Sequence, residues 1–586
     1  MPIEKRWVVK PQGETEKVAQ LAAVLGISRV LANLLVQRGI DSVEEARIFF
    51  NPQLSDLHDP FLMKDMASAV ERIEKAVREN EKIMVYGDYD VDGTTAVALV
   101  YKFLRKIGHT NLSFYIPDRY TEGYGISVKG IDHAARKGVK LVIALDCGIK
   151  ATEKVVYAKE KGVDFIICDH HLPAEEIPRA VAVLDPKRND CNYPFDELSG
   201  CGVGFKLVQA YALKNGIPFS EIESLLDLLV VSIASDIVPL VGENRILAHY
   251  GLRRLNDKPS KGLQSIIKIC GLDKHNITID DIVFKIGPRI NAAGRMRMDE
   301  NDENAAPSGG HAAVELLVES HESVAKEFGE VIDAYNQDRK NIDRSVTQEA
   351  HDYIESHPEL KQLKSTVIYN PKWMKGIVGI VASRLIETYY RPTVVLTKSN
   401  GFVTGSARSV PGFDLYQAVE SCSDLLENFG GHMYAAGLTM KEENVEEFTR
   451  RFNAYVDENI DPMKLIPQVD IDSELLFSDI TPAFRRDLNR FQPFGPGNTA
   501  PVFATYGASN HGDARLVGAE SEHLRMDLMQ RQKPNTTIQT IAFQQPTHFE
   551  WIRSGHPIDV CYQIVENHYR GNVTTQLRIR DIKPVK

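Results

Sequence analysis

"VYGDYDVDGTTA", residues 85–96, places Asp88, Asp90 and Asp92 two residues apart, directly after the apolar run Ile83–Val85. The run reads as a buried strand, and crowded carboxylates at its end are costly to keep together unless something binds them. Alternate residues of a strand face the same way, so a persisting extended conformation predicts one shared face for the three aspartates. Gly93 is then expected to allow a sharp turn into the following helix.

Outward from this stretch the pattern repeats. "KIMVYGD", "LSFYIPD", "KLVIALD", "DFIICDH" and "AVAVLDP" are short Val/Ile-rich runs, and helical stretches such as "TTAVALVYKFLRKIG" separate several of them. Strands alternating with helices predict an α/β domain with a parallel sheet. Several runs end on a hard ligand: Asp146 in "ALDCG", then Asp169, His170 and His171 in "CDHHLP". Asp236 sits in the helix-like "LLVVSIASDIVPL". Ligands of open α/β sheets bind at the carboxyl ends of the strands, where most of these groups fall. Singly, an Asp before Gly reads as a turn residue, His170 as a structural histidine, and Asp236 as a buried cap or ion-pair partner. Together they read as a di-metal hydrolase site: carboxylates with imidazole suit Mn²⁺ or Mg²⁺, and there are ligands enough for two ions.

The 586 residues are 43% hydrophobic and 25% charged, as expected of a globular chain with three or four domains. No apolar run of about 18 residues is free of charge, and the N-terminus lacks an apolar signal core, so a cytoplasmic protein without membrane contact is expected. Seven cysteines without a C-x-x-C pair read as reduced thiols. A net charge of −11 does not exclude a polyanionic partner if carboxylates chelate cations and basic groups cluster.

The expected organisation is a helical N-terminal segment (1–80), a catalytic α/β domain (81–265), and a connector with a loop and long helix (266–364). A second α/β domain (365–460) and a C-terminal barrel of the OB type (461–586) follow. Within the connector, 296–310 is polar and aperiodic and reads as a flexible loop, while 311–356 is helical almost throughout. Five short strands, from "PVFATYGA" to "TTQLRIRDI", carry the barrel expectation.

"GDYDVDGTTA", "ALDCGI", "DHHLP" and "SIASDIVPL" resemble the motifs of the DHH phosphoesterase superfamily. With "PDRYTEGYGIS", "LSGCGVGFKL", "GPRINAAGRM", "GIVGIVASRL", "GSARSVPGFDL", "FGGHMYAAGL" and "FQPFGPGN", the ordered set is similar to the RecJ family of single-strand-specific DNA exonucleases. The resemblance implies a DHH domain and a DHHA1 domain joined by a long helix, with a C-terminal OB-fold. It also implies 5′-to-3′ removal of nucleotides from single-stranded DNA with Mn²⁺ or Mg²⁺, in DNA repair and recombination.

Carried onto this sequence, the implied metal ligands are Asp88, Asp90, Asp92, Asp146, His170 and Asp236, with Asp92, Asp146 and His171 at the reaction itself. Phosphate donors are expected from Arg289, Asn291, Ser383, Arg384, Arg408, Gly431 and His432. Trp373, Phe413 and Tyr120 read singly as core or interface packing and, near basic groups, as candidate base-stacking residues, with "FRRDLNR" and "LRIRDIK" a second strand contact at the barrel. Single-strand-binding protein and a helicase are the partners the family implies. Two features depart from the family: Met374 where a histidine usually follows the tryptophan, and the acidic run with Asp299, Glu300, Asp302 and Glu303. The alternatives are a DHH phosphodiesterase for short oligonucleotides or cyclic dinucleotides, and a non-catalytic single-strand-binding relative.

Overall fold

The computed structural model describes residues 4–272, 276–296, 309–530, 533–569 and 572–585. The acidic run at 299–303 lies outside the described residues. The chain divides into two units: one of residues 52–348 with 493–498, the other of 1–51, 349–492 and 499–586.

The first unit holds a five-stranded parallel sheet in the order Leu112–Tyr115, Ile83–Gly87, Leu141–Leu145, Asp164–Cys168, Ala182–Leu184. All five expected strands are present. The central two are buried at every position because helices cover both faces, which is why they read as continuous apolar runs rather than alternating ones. Val91–Lys106, Gly200–Lys214 and Leu226–Ser235 pack one face around Val85, Leu99, Ile143 and Phe205. The other face buries Tyr86, Ile131, Val142 and Phe165.

The expected single helix over 311–356 is two, Gly309–Val318 and Glu322–Ser356. Between them Glu319 Oε1 accepts the amides of Ser320 and His321, both at 2.6 Å, so a side chain replaces the helical carbonyl partners. The second helix is 35 residues long and runs from one unit into the other.

The second unit contains a mixed sheet in the order Leu426–His432, Ala435–Met440, Phe402–Arg408, Thr393–Ser399, Thr366–Tyr369. The hairpin formed by its first two strands was not legible in the sequence, where "LENFGGH" and "AAGLTM" lack the β-branched density of a strand. The C-terminal strands close a barrel: Phe503–Asn510, Ile558–Tyr569, Asn572–Pro584, Lys533–Ala542 and His523–Gln530, which pairs back onto the first. The N-terminal segment is not wholly helical, because Arg6–Val9 forms a parallel pair with Gln468–Ile471. All seven cysteines are free thiols, and no single described helix is long and apolar enough to cross a membrane.

Candidate metal centre

The strand Ile83–Gly87 stops one residue before the first aspartate, so the shared-face expectation fails. Asp90 is the N-cap of the helix Val91–Lys106, accepting the Gly93 amide at 3.0 Å, and Asp92 lies in its first turn. Gly93 sits inside that turn, not at a bend between elements. A Cβ there would meet the backbone oxygen of Asp88 at 2.5 Å, so its bare Cα lets the helix seat directly on the strand end. The aspartates therefore converge through a strand–turn–helix junction, whose helix N-terminus favours negative charge.

Asp92 is the best supported. Its Oδ2 accepts the Gly200 amide at 2.6 Å, and its Oδ1 accepts Cys201 N at 2.8 Å and Ser232 Oγ at 2.6 Å. The two amides open the helix Gly200–Lys214, so a second helix N-terminus holds this carboxylate. Asp146 follows the central strand Leu141–Leu145 with a left-handed φ of 58°, which turns the chain sharply at the sheet's end. A Cβ on Gly200 would come within 2.6 Å of the Asp146 Cβ, so that glycine is required for the approach. Asp236 caps the carboxyl end of Leu226–Ser235, and Ile237 after it also has positive φ, 59°, which a β-branched residue rarely adopts.

These elements meet at His170. Its Nε2 lies 3.3 Å from Asp146 Oδ1, 3.6 Å from Asp236 Oδ2 and 3.7 Å from Asp92 Oδ2. Its Nδ1 faces the Leu198 carbonyl at 3.1 Å. Donation there leaves the Nε2 lone pair for a cation, the arrangement that orients ligating histidines. Burial first, and neighbouring carboxylates second, push Asp88, Asp90, Asp146 and Asp236 above the ordinary carboxylate range. A buried cluster of this kind is relieved by divalent cations, and its oxygen donors with one imidazole fit Mn²⁺ or Mg²⁺. The ligand atoms of Asp92, His170 and Asp236, and those of Asp146, His170 and His171, form two groups compact enough for an ion each.

Asp169, which the sequence groups with the ligands, is occupied otherwise. It accepts the amides of Ile149 and His170, each at 2.8 Å, and His171 Nδ1 at 2.7 Å. Burial pushes its carboxyl up, but the His171 hydrogen bond and charge with the Ile149 amide outweigh this and hold it near about 2. It thereby orients His171, whose ring also meets Tyr124 Oη, 3.2 Å from Nδ1. Tyr124, which also donates to the Asp146 carbonyl at 3.0 Å, was not recognisable from sequence beyond its place in the quoted motif. Arg119 was missed too: its guanidinium lies 5.0 Å from the Tyr89 ring centre and lines a pocket with Pro117, Tyr120 and Gly294.

The expected phosphate donors divide. In the first unit Asn291 Oδ1 accepts the Val91 amide at 3.2 Å, tying it to the metal-site helix. Arg289 pairs with Asp333 at 2.8 Å and caps the Lys285 carbonyl. In the second unit His432 and Arg408 flank Ala435 in one register row of three strands, so both side chains share a face. Gly431, beside His432, has a φ of 150°, and a Cβ there would meet the Ala435 oxygen at 2.2 Å. Arg408 NH1 bonds Ser406 Oγ at 2.8 Å. Its NH2 would lie 3.0 Å from a Cβ on Gly379, in the first turn of Val378–Tyr389. Ser383 and Arg384 lie further along that helix, Ser383 bonding the Gly379 carbonyl. Met374 precedes it, half-buried. Of the stacking candidates, Trp373 and Phe413 are buried at 7% and 6% exposure, in line with the packing reading, so neither offers a face to a base. Tyr120 bonds the Arg295 carbonyl at 2.6 Å.

The parallel-sheet domain with its acidic, histidine-centred cluster, followed by the mixed-sheet domain, defines a DHH–DHHA1 phosphoesterase. The sequence matches the DHH family N-terminal domain over 82–233, the DHHA1 domain over 362–458 and the RecJ OB domain over 471–581. The chain belongs to the RecJ family. It is 36% identical to the single-stranded-DNA-specific exonuclease RecJ of Bacillus subtilis over 98% of this chain and 70% of that protein. Identity to the Salmonella typhimurium RecJ is 32%, covering 98% of both. The crystal structure of Thermus thermophilus RecJ with Mn²⁺ superposes with a TM-score of 0.82 at 26% identity, covering 99% of this chain and 80% of that one.

Proposed function

We propose that this chain is a 5′-to-3′ exonuclease that hydrolyses phosphodiester bonds of single-stranded DNA with two divalent cations, in DNA repair and recombination. The observation that carries this reading is the convergence of Asp92, Asp146 and Asp236 on His170 Nε2 within a full RecJ-family architecture. Asp88, Asp90, Asp92, Asp146, His170 and Asp236 are the residues that would hold Mn²⁺ or Mg²⁺. When bound, such ions activate water and neutralise charge on the attacking and leaving oxygens.

The chain's own groups do the rest. The amides of Gly200 and Cys201 fix Asp92, and the Leu198 carbonyl fixes His170. His171, raised above its ordinary value by the Asp169 bond despite burial, is placed to donate a proton to a phosphate or leaving oxygen. Arg119 is the phosphate donor proposed for the first unit, and Arg408, Ser383, Arg384, Gly431 and His432 are those proposed for the second. Arg289 and Asn291 are tied to Asp333 and Val91, and they position the surrounding helices. Met374 offers no strong donor where the family has histidine, so these groups carry the phosphate contacts. Single-strand-binding protein and a helicase are the partners, and the cytoplasm the compartment, that this reading assigns.

The test is mononucleotide release with Mn²⁺ from single-stranded DNA, duplex and a short oligonucleotide, by the chain and by Asp146→Ala. Release from the single strand alone, blocked by chelation and abolished in a folded Asp146→Ala, is expected. Hydrolysis of only the short oligonucleotide favours the small-substrate phosphodiesterase. Binding without hydrolysis favours the non-catalytic relative.

A further inference from the structure

Tyr124 reaches the acidic centre with its hydroxyl and leaves much of its ring outside. The hydroxyl donates to the Asp146 carbonyl at 3.0 Å and lies 3.2 Å from His171 Nδ1. The residue is nonetheless 51% exposed, so its polar end is satisfied inside the site while the ring faces solvent beside it. His171 meets that ring at 71°, with 5.7 Å between centres, and no other ring contacts it among the described residues.

The surrounding loop holds Tyr124 in this pose. Gly123 and Gly125 on either side both have left-handed φ, 81° and 80°, so the chain reverses around the tyrosine in a way that other residues rarely adopt. Gly125 is pinned at both ends of its peptide. Its amide donates to Asp88 Oδ1 at 3.4 Å, and its carbonyl accepts the hydroxyl of buried Tyr86 at 2.9 Å. Upstream, the buried carboxylate of Glu122 accepts the Asp118 amide at 3.0 Å and the Tyr115 hydroxyl at 2.9 Å. A ring fixed before the ligand arrives loses little freedom on binding it.

The other aromatics of this region are engaged. The Tyr89 ring lies under the Arg119 guanidinium, 5.0 Å away, and the Tyr120 hydroxyl is bound to the Arg295 carbonyl. The loop therefore presents a cation at Arg119 and an open ring at Tyr124, with the metal centre next to it. A nucleotide offers a 5′ phosphate, a base and a 3′ phosphate in the same order. We infer that Tyr124 is the stacking platform for the base of the terminal nucleotide, holding that nucleotide with its 3′ phosphate at the metal centre. This rests on the single-strand nuclease reading above. Stacking tolerates every base because each has a π-face, which suits an enzyme that removes nucleotides one after another.

The test uses the full-length chain with Mn²⁺ and two 5′-phosphorylated single strands, one ordinary and one abasic at its first nucleotide. Release of that first nucleotide is measured. For the unaltered chain, kcat/KM should be about tenfold higher on the ordinary strand, the contribution of one stacked base. Tyr124→Leu keeps an apolar side chain but no aromatic face, and should bring the two strands within about twofold of each other. Tyr124→Phe keeps the ring and should keep the preference, even if its rate falls on both strands through loss of the hydroxyl. No preference in the unaltered chain would overturn the assignment. So would an undiminished preference in a folded Tyr124→Leu, because the tyrosine would then serve only to orient His171 and the turn at Asp146. Loss of the preference in Tyr124→Phe would overturn it as well, since the hydroxyl rather than the ring would be sensing the base. No release from either strand by the unaltered chain would overturn the nuclease reading itself, and this assignment with it.

Discussion

Asp169 and His171 form a pair whose geometry decides how the site presents a proton donor. Asp169 gathers three amides, those of Ile149, His170 and His171, and the His171 ring nitrogen, so Asp169→Asn weakens the ring's anchor without removing a proposed ligand. We expect kcat to fall about 10–100-fold, as when such orienting groups are lost, with KM and the circular dichroism spectrum little changed. Loss of folding in that variant would contradict the orienting role. The ligands themselves predict a pH effect. Asp88, Asp146 and Asp236 are raised by burial and then by their neighbours, so above about pH 4 the metal-free folded state binds more protons than the unfolded chain. Its stability should fall as pH rises through the raised values. Mn²⁺ competes with those protons, so the increase in Tm on adding Mn²⁺ should grow as pH rises above about 4. An increase that shrinks with pH would contradict this.

At this scale the sequence was a good guide to which residues gather and a poor one to what each does. Spacing and apolar context brought out Asp92, Asp146, His170 and Asp236. Asp169 looked the same in the chain, and only its amide partners reveal an orienter. Tyr124 and Arg119 depend on loop geometry that no local pattern encodes.

Between elements, Asp146 closely approaches the helix Gly200–Lys214. Gly200→Ala would drive a methyl group to within 2.6 Å of the Asp146 Cβ and displace the amides that hold Asp92. Overpacking should cost about 1–3 kcal/mol of stability, read by chemical denaturation. Activity should fall by at least about tenfold even where the variant remains folded, because two proposed ligands move together. A fully active Gly200→Ala would show that the junction tolerates adjustment. The parallel sheet was legible because burial on both faces leaves unbroken Val/Ile runs. The hairpin carrying Gly431 and His432 was not, since small residues and glycines there serve close approach rather than side-chain packing.

Across the whole molecule, one short segment groups apart from its neighbours in the chain. Residues 493–498, within the expected barrel domain, belong to the unit with the parallel sheet. The Pro496 carbonyl accepts the Leu240 amide at 2.7 Å, and a Cβ on Gly495 would meet Leu240 at 2.5 Å. This brace supports the chain just after Asp236. Gly495→Val should raise the Mn²⁺ concentration needed for half-maximal rate several-fold, while single-strand binding measured without metal is retained. An unchanged Mn²⁺ requirement would remove the brace from the account. Such a connection is invisible in the sequence because it depends on which unit a short Pro/Gly segment packs against.

The most direct test of the central claim labels one single-stranded DNA at its 5′ end and a second copy at its 3′ end, each incubated with the chain and Mn²⁺. The account predicts immediate release of the 5′ label as mononucleotide while the 3′-labelled strand shortens gradually. Immediate release of the 3′ label, or internal fragments from both strands at the earliest times, would contradict it.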